Sequence, residues 1–146
     1  MRFFLPVFLL FFLFLACKNT HKEAEQVTQT TVKVPQDFLD FYDRFHRDSA
    51  YQLAHISWPL QGDTDEQTEN GGTRRKSIIW EQADWRIQTL DFDLNDYVFD
   101  RHLLGEMLLV EVIKPKAANF GIERRFAKQS DGEWMLIYYS DIRELK

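Results

Sequence analysis

"FGIERRFAKQSDGEWMLIYYSD", residues 120–141, holds two extended runs around a turn. In the first run Phe120, Ile122, Arg124 and Phe126 share one face, while Gly121, Glu123, Arg125 and Ala127 share the other. That is the period-two pattern of a half-buried strand, apolar inside with one charge. Residues 129–132 break the pattern, and Asp131-Gly132 is a hairpin turn signal. In the second run Trp134, Leu136 and Tyr138 oppose Met135, Ile137 and Tyr139. Both of its faces are apolar, so both are expected to be covered.

Working outward, "EMLLVEVIK" at residues 106–114 is a third extended run, separated from the pair by residues 115–118. Upstream, "DYVFDRHLLG" reads as one further helical turn. "SIIWEQADWRIQTLDFDLNDY" reads as a short strand at 77–80, a turn at 81–84 and a second extended piece at 86–92. Residues 61–76, acidic first and basic after, have the composition of a loop, with a tight-turn signal at Asn70-Gly71-Gly72. Arg74, Arg75 and Lys76 lie beside four acids, the pattern of a solvated hairpin edge and not of a nucleic-acid surface.

The start of the domain is helical. Phe38, Phe41, Tyr42 and Phe45 recur at i, i+3, i+4 and i+7, one face of a helix whose other face carries Asp37, Asp40, Asp43, Arg44 and Arg47. Asp48 and Ser49 then cap a second short helix over residues 50–55, and Trp58-Pro59-Leu60 ends it. Helices first and a curling antiparallel sheet afterwards make an α+β domain. Residues 35–146 are expected to form this single domain, with no internal repeat, no zinc-type cysteine pattern and no Gly-rich phosphate loop.

The first residues carry an address. Arg2 precedes an almost unbroken apolar run at 3–15, too short to cross a bilayer, which needs about 20 apolar residues. A positive start, a short apolar core and a small residue before a cut describe a secretory signal, here residues 1–16. Phe14-Leu15-Ala16-Cys17 resembles the lipobox of bacterial lipoproteins, which implies a lipidated Cys17 at the head of the mature chain. A diacyl or triacyl group there, palmitate among its chains, supplies the two membrane signals that stable anchoring requires. Residues 17–34, rich in threonine and alternating charge, read as a flexible tether. Loss of Arg2 with the signal takes Lys+Arg from 18 to 17 against 23 Asp+Glu, a mature net charge of about −6. Such a chain is a poor partner for nucleic acid. With one cysteine, no disulfide can form within the monomer.

"DFLDFYDRFHRDSAYQLAHISWPLQG" early and "FGIERRFAKQSDGEWMLIYYSD" late resemble a family of uncharacterised bacterial lipoprotein domains of the nuclear transport factor 2-like (cystatin-like) superfamily. The resemblance implies a cone: N-terminal helices packed in a strongly bent antiparallel sheet, with a pocket at its wide end. It also implies an arginine where this chain has His55. It assigns no activity, since a fold of this kind hosts enzymes and binding modules alike.

Cone enzymes set a carboxylate and a tyrosine or histidine in an apolar cavity, and several titratable groups are candidates for that role. Tyr42 and Tyr138 fall on apolar stripes, and His46 is expected to face solvent. His55 suits the carbonyl end of its helix. In "FDRHLLGE", His102 and Glu106 are four apart, whereas Asp100 and His102 would not face each other on a helix. His102 and Tyr138 are thus the candidate catalytic residues, and no spacing suits a metal or other cofactor. Arg124 must pair with a carboxylate across the sheet or meet an anionic ligand. With Trp134 and Tyr138 it forms the candidate ligand-binding set. The expectation is a lipid-anchored domain of the bacterial cell envelope, on the outer membrane, non-catalytic, binding a small ligand or an envelope protein. The alternatives are a small isomerase, dehydratase or hydrolase acting on an apolar molecule, and a structural homodimer through the outer sheet face.

Overall fold

The computed structural model describes residues 33–90 and 95–145. The expected signal, Cys17 and nearly all of the expected tether lie outside the described residues, as does the end of the extended piece expected at 86–92.

Helix α1 spans Gln36–Arg47 directly after Pro35, with Asp37 in its first turn and Arg44 and Arg47 in its last, a charge order that suits the helix dipole. Helix α2, Ser49–Ala54, is capped by Asp48, whose carboxylate accepts from the Tyr51 amide at 3.0 Å. The strands follow: β1 (Ile56–Gln67), β2 (Thr73–Trp80), β3 (Tyr97–Leu104), β4 (Leu108–Pro115), β5 (Phe120–Lys128), β6 (Trp134–Ser140) and the short β7 (Arg143–Glu144). They form a strongly curved sheet in the order β2-β1-β6-β5-β4-β3, with β7 pairing β5. The α+β expectation holds. The sheet is mixed and not wholly antiparallel, because β1 runs parallel to β6.

The aromatic stripe of α1 fills the curve. Phe38 and Phe45 are fully buried, with Phe41 and Tyr42 nearly so, against Leu109, Phe126, Trp134 and Leu136. Phe38 meets Phe126 and Trp134 edge-on at 5.3 and 5.1 Å between ring centroids. Burying each such side chain contributes about 1.5–3 kcal/mol, so this one stripe holds the helix to the sheet.

Three local readings are corrected by the structure. Residues 61–76 are not a loop: β1 continues to Gln67 and β2 begins at Thr73, closing through a turn in which Gly71 takes φ +76°. The acidic and basic halves face each other across the ladder, Glu66 accepting from Arg74 at 2.8 Å and Lys76 at 2.9 Å. Composition resembled a loop because this hairpin exposes most of its side chains. Residues 97–104 are strand β3 and not a helical turn; Gly105 at φ +68° turns the chain back so that Leu104 pairs Leu108. Finally, β6 does not alternate throughout. Ile137 and Tyr138 together oppose the single Arg125, a bulge that shifts the strand's parity. Trp134 and Leu136 point to the core, but Tyr139, paired with Arg124, follows them inward in place of Tyr138.

Candidate functional site

Between α1 and the sheet lies a buried polar cluster. Glu111 on β4 and Arg124 on β5 are register partners and core-facing, with relative exposures of 0% and 1%. Arg124 Nε donates to Glu111 Oε2 at 2.8 Å, and its Nη2 donates to the same oxygen. Arg101 Nε donates to Glu111 Oε1 at 2.8 Å. The rest of the Arg124 fork is also occupied: Nη2 meets the Tyr42 hydroxyl at 2.7 Å, and Nη1 meets His46 Nε2 at 2.9 Å and Gln88 Oε1 at 3.0 Å. Burial alone would raise the Glu111 pKa, but Arg124 and Arg101 pull harder and hold it below the usual carboxylate value.

His46 is buried, contrary to the expectation of a solvent-facing ring, because it continues the α1 stripe at i+8 from Phe38. Arg124 can only donate, so Nε2 is the acceptor and Nδ1–H donates to the Tyr42 carbonyl at 2.7 Å. Desolvation, with the Arg124 charge next, pushes its pKa down to about 4, and the ring is neutral.

Gln52 ties this cluster to the crossing segment before β3. Its Nε2 donates to the carbonyls of Phe45 and Gln88, both at 2.8 Å. Its Oε1 accepts from Trp85 Nε1 at 3.0 Å and from the Gln88 amide at 2.8 Å. One fully buried amide thus clamps residues 85–88 over the end of the sheet.

Under that segment opens a cavity of ≈ 450 Å³, walled by Ile87, Ile113, Pro115, Phe120, Ile122 and Ile142. It sits where β4 and β6 end and β5 begins, at the far end of the sheet from the Asp37–Trp134 contact. Gln88, Tyr139, Arg86 and Asp141 supply polarity, and these four also line an adjoining recess of ≈ 460 Å³ faced by Trp80 and Trp85. A volume in this range, apolar with a few polar groups, fits a small-molecule site. Gly62 makes the packing behind it possible: a Cβ there would lie 2.1 Å from the Tyr139 carbonyl oxygen and 2.7 Å from Trp80 Nε1.

The structure does not gather the three ligand-binding candidates into one pocket. Arg124 lies behind the cavity, its guanidinium reaching it only through Gln88. Trp134 is in the core at the opposite end, its Nε1 donating to Asp37 at 3.3 Å. Tyr138 stands on the outer face beneath Arg125, its ring 4.2 Å from the guanidinium, with Asp63 beside it. Burial and that carboxylate push the Tyr138 pKa up to about 12. His102 is exposed on β3, and the strand brings it to the same face as Asp100, 3.1 Å away, which a helix would not. His55 Nδ1 bonds the Tyr51 carbonyl at 2.8 Å, closing the end of α2. Among the described residues no group of three His, Cys, Asp and Glu side chains could hold a metal ion, and no helix is long and apolar enough to cross a membrane.

Sequence reasoning missed Glu111, Gln52, Gln88 and Tyr139. Glu111 carried a signal: one acid between Leu109 and Ile113 on a core-facing row, complementary to the lone Arg124 of the next strand. The two glutamines carried none.

No protein-family model matches the chain, and no curated protein matches it. Solved structures do. A cystatin-like protein from Bacteroides caccae superposes with a TM-score of 0.55 at 18% identity, over 70% of this chain and 74% of the other. A protein from Bacteroides ovatus gives 0.50 at 18%, over 75% and 76%. A nuclear transport factor 2-like protein from Bacteroides fragilis gives 0.50 at 15%, over 77% of this chain but only 49% of that one. The chain therefore has the cystatin-like, nuclear transport factor 2-like cone fold.

Proposed function

We propose that this chain is a lipid-anchored domain of the bacterial cell envelope that binds a small, largely apolar molecule in the cavity under residues 86–89, without catalysing its conversion. The observation that carries the reading is the cavity itself, ≈ 450 Å³ with walls of isoleucine, proline and phenylalanine. Its rim supports the same reading, because Ile87, Phe120 and Ile142 are 43, 47 and 63% exposed and would be covered by an apolar occupant. Acid–base chemistry is poorly served there. The described lining holds no histidine, and its one carboxylate, Asp141, already accepts from the Ile142 amide at 2.8 Å. His46, Glu111 and Tyr42 lie behind the lining, each engaged with Arg124. The anchor rests on the lipobox-like residues 14–17, with the outer membrane as the proposed address.

Native mass spectrometry of the full chain purified from its host tests the binding. The expected result is a co-purifying small molecule released on unfolding. Apo protein in every preparation would count against the reading.

A further inference from the structure

We infer that β3 pairs with β3 of a second copy of this chain, antiparallel about a two-fold axis through Arg101, so that Asp100 lies opposite the partner's His102. The strand order ends on β2 and β3, and among the described residues β3 pairs no strand but β4. An edge strand presents backbone donors and acceptors that another strand can take up, and many proteins guard such edges with charge. The β2 edge is guarded in this way. Arg74, Arg75 and Lys76 follow one another along it, so two copies paired about Arg75 would set cation against cation.

The β3 edge is patterned differently. Its outer face presents Val98, Asp100, His102 and Leu104, one acid and one base between two apolar residues. In a two-fold antiparallel pair, residue i meets j wherever j meets i, and opposite side chains share a face. An axis through Arg101 sets Asp100 against the partner's His102 twice over. Moving that axis one residue either way sets Asp100 against its own copy, or His102 against its own. The same register lays Leu104, 57% exposed, against the partner's Val98, and Leu103 against the partner's Phe99 on the inner face. Arg101 sits on the axis, but its Nε bonds Glu111 of its own chain at 2.8 Å, which holds its charge back over β4. Within one chain His102 Nε2 lies 3.1 Å from Asp100, so in the pair each carboxylate has an imidazole on either side.

The test is sedimentation equilibrium of the full chain in density-matched detergent, where a monomer–dimer equilibrium is expected. Asp100→Lys puts a cation opposite each imidazole and is expected to raise the dimer dissociation constant about tenfold, since two cross-strand pairs change together. The double variant Asp100→Lys/His102→Glu reverses both pairs and is expected to restore the parent value. Both side chains are exposed, so the circular dichroism of each variant should match the parent. Val98→Cys/Leu104→Cys is expected to oxidise to a dimer whose bridged peptides, read by mass spectrometry, join residues 98 and 104. Opposite positions of such a ladder come within disulfide reach. A monomer at every concentration, a dimer indifferent to Asp100→Lys or not restored by the reversed pair, or a dimer that never forms that bridge overturns the inference.

Discussion

Glu111 and Arg124 face each other across the β4–β5 ladder, deep in the cone, with Arg124 Nε 2.8 Å from Glu111 Oε2 and neither residue more than 1% exposed. Arg101 brings a second positive charge to the same carboxylate at 2.8 Å. Two guanidiniums therefore depend on one acid for neutralisation.

Replacing that acid leaves buried positive charge without a counter-ion. Glu111→Gln is expected to cost about 3–5 kcal/mol, the usual loss when one partner of a buried pair is removed. The double variant Glu111→Leu/Arg124→Met should recover most of it, since Arg101 is partly exposed and can turn to water. Urea denaturation of the parent chain, Glu111→Leu, Arg124→Met and the double variant closes a cycle that measures the coupling. A Glu111→Gln loss under 1 kcal/mol would contradict the geometry.

The neutral His46 makes stability depend on pH. Its pKa falls from 6.5 to about 4 on folding, so the unfolded chain binds the extra proton between those values. Stability from this group is whole above pH 6.5 and falls as pH drops towards 4, by about 3 kcal/mol in all. Glu111, also held below its ordinary value, adds its loss at still lower pH, as the medium crosses the carboxylate range. In urea melts from pH 7.5 to 4.5, His46→Gln should flatten the slope above the carboxylate range. An unchanged slope would place the titrating group elsewhere.

Gln52 offers a test of the clamp. Gln52→Ala strips partners from the Phe45 and Gln88 carbonyls, the Trp85 indole and the Gln88 amide. A loss of about 2–4 kcal/mol is expected, as more than one buried group goes unsatisfied. Hydrogen exchange should quicken at residues 85–88 before it does so in β5. Protection retained there would mean that the segment is held by other contacts.

Anchoring is tested at the junction of residues 16 and 17. Cys17→Ala should abolish incorporation of radiolabelled palmitate and leave the precursor uncut, because a lipobox is cleaved only after its thiol is modified. A variant that is still cleaved and released unlipidated would show an ordinary signal in place of an anchor.

How far all this could be read from the chain depends on where each residue's meaning arises. The α1 stripe was legible because helical spacing alone places Phe38, Phe41, Tyr42 and Phe45 on one face. The β1–β2 hairpin was hidden, since cross-strand pairing of Glu66 with Arg74 and Lys76 makes order from residues that read singly as loop. Strand β3 was misread because Asp100, His102 and Leu104 lie outward on a sheet edge, where apolar periodicity is weak. In the site, Arg124 stood out as one charge on an apolar row, but alternation counted straight along β6 selected Tyr138 and passed over Tyr139. Gln52 and Gln88 gain their roles only from contacts 36 residues apart in the chain, which no local pattern records.

The surplus residue in β6 has an outcome of its own. Because Ile137 and Tyr138 share one opposing position, a chain shortened by either would still deliver Leu136 and Tyr139 to the inside. What would vanish is the extra bend and twist that such an irregularity imparts. Trimming here would straighten the strand and reset the gauge of the opening while sparing the groups that furnish it.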